Sequence, residues 1–95
     1  MRSMTNTTTS TILNKVLVSW YDIQSCEGAW STHKEVQDLK LAECHTIGYL
    51  FTDHNDKNLI KIFSTYSTDE SGVMDYGDVT CIPKACIINI ENLNN

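Results

Sequence analysis

Cys26, Cys44, Cys81 and Cys86, with His33, His45 and His54, are ligands of the type zinc prefers, and a thiol is also a nucleophile. Structural zinc sites announce themselves through closely paired ligands on knuckle turns, and that spacing is missing here. Cys44 and His45 are adjacent inside a strand pattern, where neighbours point to opposite faces and make a poor pair for one ion. The acidic turn that begins at Asp53 lacks the central glycine and terminal glutamate of a calcium loop. Covalent catalysis needs a thiol or hydroxyl, a base and an orienting group. Only Cys26, on a glycine-containing loop near His33, has local support, and a loop thiol before a helix start is common without function. Gly28, Gly48, Gly72 and Gly77 are isolated, so no glycine-rich loop cradles a phosphate. The sequence predicts no catalytic residue, no metal and no cofactor. It does not read as an enzyme.

The aromatic residues are better placed for recognition. Trp20, Tyr21 and Trp30 bracket a loop that carries Asp22, Ser25 and Gly28. An indole gives a planar base a stacking surface, while Asp22 and Ser25 supply directional hydrogen bonds. The competing reading is that both indoles cap a small core, given the area each buries. Tyr66 and Tyr76 flank the acidic stretch Asp69, Glu70, Asp75 and Asp78, and Lys84 follows the chain's single proline. These residues could complete a pocket across a subunit boundary.

The elements that must hold these residues are mostly strands. Val16, Val18 and Trp20 alternate against Leu17 and Tyr21 over Lys15 to Ile23, which predicts a first strand. Thr32-His33-Lys34-Glu35 is a capping box, and Val36 and Leu39 add a narrow apolar stripe. The expected helix has two to three turns and must pack on the sheet to persist. Cys44 to Asp53 alternates again, with Ile47, Tyr49 and Phe51 on one face and Thr46, Gly48 and Leu50 on the other. Gly48 marks a bend or a close backbone approach. A turn over 53–58 returns the chain as a strand from Leu59 to Tyr66, making a hairpin. Ser67 to Asp78 reads as a solvated loop. A strand to Ile82, a tight turn at Pro83-Lys84-Ala85 and a strand from Cys86 to Ile90 close the chain.

The totals bound the rest. Ninety-five residues allow one domain over 15–95, and the Thr/Ser/Asn-rich segment 1–14 reads as a disordered leader. Hydrophobic residues are 41% of the chain, a modest supply that a subunit interface would supplement. The formal charge is −5, and residues 43–95 carry all of it, with eight acids against Lys57, Lys61 and Lys84. Duplex nucleic acid is therefore disfavoured as a partner, although one or two lysines with backbone amides suffice for a small anion. No apolar run approaches the ~20 residues of a membrane span, and Met1 to Asn14 lacks the apolar segment of a secretory signal. Reduced thiols in a cytoplasm follow.

Trp20-Tyr21-Asp22, Ser25, Gly28-Ala29-Trp30, Ile47-Gly48-Tyr49-Leu50 and Ile82-Pro83-Lys84 with Ile87 and Ile90 together resemble a family of small proteins of tailed bacteriophages and prophages. The resemblance spans about residues 16 to 93. It implies a mainly β fold, a small, strongly bent five-stranded barrel of the Sm-like or SH3-like kind with one short helix. It also implies a phage product in the host cytoplasm that neutralises host defence. The expected mechanism is an oligomeric sponge that sequesters a small nucleotide messenger. Trp20, Asp22, Ser25, Gly28, Trp30, Tyr66 and Lys84 would be its binding residues. The alternative is an inhibitor that docks on a host protein through the acidic loop 69–78, using Asp69, Glu70, Asp75, Tyr76 and Asp78.

Overall fold

Alternation along the first apolar run decides which side of the molecule is inside. In the computed structural model, which describes residues 13–94, Lys15–Asp22 forms strand β1 and turns Val16 and Val18 inward (4% and 0% exposed). Helix α1, His33–Asp38, follows. Then come β2 (Ala42–Phe51), β3 (Leu59–Phe63), β4 (Thr65–Asp69), β5 (Gly72–Gly77) and β6 (Thr80–Pro83). A single 3-10 turn, Lys84–Cys86, leads into β7 (Ile87–Asn92). Strands account for 54% of the described residues and helical turns for 11%, so the fold is mainly β.

Five strands form one antiparallel sheet in the order β6-β3-β2-β1-β7, and β4-β5 form a separate two-stranded hairpin. The inner face collects Val16, Val18, Ile62 and Ile82, with Trp20, Leu50, Ile60, Cys86 and Ile87 packed around them. Burying each such side chain contributes about 1.5–3 kcal/mol. Gly48 lets β2 and β3 come together over this core. A Cβ there would lie 2.8 Å from the Phe63 carbonyl oxygen and collide with the Ile62 side chain.

Three expectations about the strands need correction. The sheet is not closed into a barrel: among the described residues its end strands β6 and β7 do not pair. β6 has only four residues and ends in Pro83, which has no N–H to offer a further ladder. The strand expected over Leu59 to Tyr66 breaks at Ser64. There the chain leaves the sheet, and the Ser64 N–H donates to the Gly77 carbonyl at 3.3 Å. The expected loop Ser67 to Asp78 is the remainder of the β4-β5 hairpin. Its turn is set by Asp69, whose carboxylate accepts the Ser71 N–H at 2.7 Å, and by Gly72 at φ 121°.

The capping box of α1 is formed as its sequence predicts. Glu35 N–H donates to Thr32 Oγ1 at 3.1 Å, and Thr32 N–H donates to Glu35 Oε1 at 2.8 Å. The helix is nevertheless six residues long and does not pack on the sheet, because Leu39 is already extended and none of its residues is buried. Of the leader expected over 1–14, residues 1–12 lie outside the described ones. Asn14 is tied in, its carbonyl accepting the Leu50 N–H at 2.9 Å.

Candidate functional site

Strand register brings distant lysines together. Phe51 pairs with Lys61 across β2-β3, and Lys61 pairs with Cys81 across β3-β6. The chain then turns at Pro83, and the Lys84 N–H donates to the Asn58 carbonyl at 2.7 Å. That bond ties the proline turn to the loop joining β2 and β3. The result is a groove of about 470 Å³ lined by, among others, Phe51, His54, Lys57, Leu59, Lys61 and Lys84. Its volume falls within the ~300–1,000 Å³ of small-molecule sites.

Lys57, Lys61 and Lys84 are all the bases of residues 43–95. None has a carboxylate within ion-pair distance among the described residues, although the chain is strongly acidic. Asp56 also lines the groove, and one of its oxygens accepts the Asn58 N–H at 2.9 Å. The rings of Phe51 and His54 lie nearly parallel, 10° apart with centroids at 6.3 Å. His54 Nδ1 accepts the Asp56 N–H at 3.2 Å, which leaves the proton of the neutral ring on Nε2 as a donor. Three mobile cations, an imidazole donor and flat apolar surface suit an anion that carries a planar ring.

A second, apolar niche of about 160 Å³ adjoins the groove, sharing Phe51 and Lys61 and adding Phe63, Tyr76 and Val79. The β4-β5 hairpin makes it. Tyr66 and Tyr76 are cross-strand partners, and both set ring edges against Phe63, at 6.1 and 4.7 Å. Tyr76 also meets Phe51 edge-on at 5.2 Å.

The residues expected to form one site are dispersed. Lys84 alone among the seven lines the groove. Trp20 packs on the core, and its indole N–H donates to Thr46 Oγ1 at 2.9 Å. Trp30 lies 93% exposed. Asp22 accepts the N–H of Ile23 next to it at 2.8 Å; Ser25 is exposed, and Gly28 supplies a turn at φ 83°. Tyr66 belongs to the aromatic cluster under the hairpin. The acidic set is exposed throughout; Asp69 ties the hairpin turn through the Ser71 N–H, and Asp78 has a structural role of its own. It sits at φ 52° and accepts from Thr65 Oγ1 at 3.0 Å and Ser64 Oγ at 3.4 Å.

Phe51, His54, Lys57 and Lys61 escaped the sequence reading. The available signal was charge: in an acidic half, the only three bases flank one predicted hairpin and its closing turn. Another constellation also emerges only in three dimensions. Ser19 Oγ lies 2.8 Å from His45 Nδ1, and His45 Nε2 lies 3.5 Å from Glu43. A hydroxyl, an imidazole and a carboxylate in a row make a nucleophile relay only beside a bound substrate and oxyanion donors. These three stand on the open outer face of β1-β2 and line neither depression. They form a polar cross-strand ladder.

Cys26, Cys44, Cys81 and Cys86 are free thiols. Among the described residues no three His, Cys, Asp or Glu side chains converge as metal ligands, and no helix is long and apolar enough to cross a membrane. No protein-family model, curated protein or solved structure matches the chain.

Proposed function

We propose that this protein is a non-enzymatic binder that sequesters a small nucleotide-like anion in the groove between the β2-β3 loop and the proline turn. The carrying observation is the convergence of Lys57, Lys61 and Lys84, without an ion-pair partner among the described residues, on one groove in a chain of charge −5. Phosphate oxygens would meet the lysines and the His54 Nε2–H, and a base would lie against Phe51 or enter the niche at Phe63 and Tyr76. This keeps the ligand class expected from the sequence but moves its site from the tryptophans to the lysines. The phage resemblance gives such a binder its setting, as a counter-defence factor in the host cytoplasm. The strand order and the 3-10 turn before the last strand support an Sm-like or SH3-like architecture, here in an open form.

Isothermal titration with nucleosides, their mono-, di- and triphosphates, cyclic dinucleotides and inorganic phosphate tests the proposal. Affinity should rise with phosphate number for the nucleotides and stay below them for inorganic phosphate. Equal binding of nucleoside and nucleotide, or none at millimolar ligand, would remove it.

A second reading draws on Asp69, Glu70 and Asp75, which stand exposed on the β4-β5 hairpin without a basic partner among the described residues. That edge suits docking on a basic host protein. Such docking would weaken steeply with ionic strength.

A further inference from the structure

Residues 23–41 leave the sheet between β1 and β2 as an arm in which only Cys26 is even partly covered. Its large apolar side chains face water: Ile23, Trp30, Val36, Leu39 and Leu41 are 79%, 93%, 60%, 44% and 58% exposed. The arm nevertheless has defined local structure. Helix α1 carries a complete capping box, and Lys34 Nζ bonds Asp38 at 2.8 Å one turn on. A six-residue helix does not hold in water on local bonds alone, since nucleation costs more than one turn returns. Burial of these side chains would supply the missing stabilisation.

We infer that the arm is a self-association surface, which buries Trp30 and the apolar side of α1 against the arm of a second copy in a two-fold dimer. Area supports a second copy. At roughly 200 Å² for the Trp30 side chain and about 60–120 Å² for each aliphatic one, the five exposed fractions amount to on the order of 400 Å²; the exposed polar residues of the same arm can supply the rest of the ~800 Å² each partner of a standard interface buries. Charge supports it too. The arm holds Glu27, Glu35 and Asp38 against Lys34 and Lys40, net −1 of the chain's −5. Two acidic molecules can therefore meet arm to arm with little repulsion, as they could not through the acidic hairpin. A two-fold contact is also self-complementary and closed, so it ends at the dimer. None of the groove's lining residues lies in the arm, and the inference is independent of the ligand.

Sedimentation velocity of the full chain across the micromolar range tests it. The wild type should approach twice the 10.8 kDa monomer mass. Trp30→Ser with Val36→Asp should weaken the dimer by at least about tenfold. Because Asp22 and Ala42 are cross-strand partners, an Asn-Gly turn can replace the arm between them. That armless protein should keep its strand circular dichroism and sediment as a monomer. A monomeric wild type overturns the inference, including one that pellets with lipid vesicles instead. So does a dimer that survives loss of the arm.

Discussion

The Lys84 N–H donates to the Asn58 carbonyl at 2.7 Å, so the backbone, and not the side chain, holds the proline turn against the β2-β3 loop. The Lys84 ammonium has no ion-pair partner among the described residues and lines the same groove as Lys57 and Lys61. A residue whose backbone is structural and whose side chain is unengaged separates folding from binding.

Lys84→Ala should accordingly leave stability within ~0.5 kcal/mol, as surface changes usually do. It should weaken a nucleoside triphosphate about tenfold, the worth of one charge-assisted hydrogen bond. Neutralising Lys57 and Lys61 as well should flatten the salt dependence of binding. Urea unfolding and calorimetric titration on the same samples check both halves. Unchanged affinity in the triple variant would show that the groove is not the site.

Trp20 leads to the opposite expectation. Its indole N–H bonds Thr46 Oγ1 at 2.9 Å across β1-β2, and its ring packs on the core. Thr46→Val strands that donor in a part-buried position and should cost ~1–3 kcal/mol, while ligand affinity stays unchanged. Denaturant midpoints measure the cost. A loss of binding in the folded variant would return the ligand to the tryptophans.

Gly48 is the least replaceable small residue in the sheet. An added methyl would meet the Phe63 carbonyl oxygen at 2.8 Å, and backbone cannot step aside as a side-chain tip can. Gly48→Ala should destabilise by roughly 2–4 kcal/mol, within the range of severe packing defects. An unfolding midpoint equal to the wild type's would contradict this close approach.

The hairpin carboxylates should divide in two. Asp69→Asn, Glu70→Gln and Asp75→Asn together should leave stability nearly unchanged, because an amide oxygen at position 69 still accepts the Ser71 N–H and the other two carboxylates are exposed. They should tighten anion binding slightly by lowering the acidic field. Asp78→Ala should cost ~1–2 kcal/mol, because it removes the acceptor of the Thr65 and Ser64 hydroxyls and puts alanine at φ 52°. Thermal melts of the two variants give the comparison, and equal melting temperatures would refute the distinction.

What the sequence made legible follows from the range of each signal. The capping box at Thr32 and Glu35, the alternation of Val16 and Val18, the hairpin around Asp53 and the crowding at Gly48 are local patterns, and they appear where local rules place them. The break at Ser64 was hidden because Leu59 to Tyr66 contains no glycine or proline to mark it; only pairing with Gly77 shows where the chain changes sheets. The β4-β5 hairpin was hidden by its acids, which have the composition of a loop although Tyr66, Val73 and Tyr76 favour strands. The groove was the hardest to foresee, since Lys57, Lys61 and Lys84 meet only once two ladder registers and the Lys84–Asn58 bond are fixed. Trp30 shows the converse: a residue type that attracts a functional reading stands apart from the groove.

Glu35 provides the one pH-dependent prediction. The Thr32 N–H, and then its hydroxyl, favour the charged carboxylate and hold it below its ordinary value of 4.5. A depressed carboxyl stabilises the fold above the unfolded-state value, and that contribution is lost as pH falls through the lower folded value. The capping box of α1 should therefore open in acid while the sheet persists, since no buried polar or charged residue lies in the core among the described residues. In proton–nitrogen NMR, the Thr32 amide should titrate with a midpoint below 4.5. Glu35→Gln should abolish that titration and leave the Val18 and Ile62 amides unmoved. A Thr32 midpoint at or above the ordinary carboxyl value would mean that the box does not hold in solution.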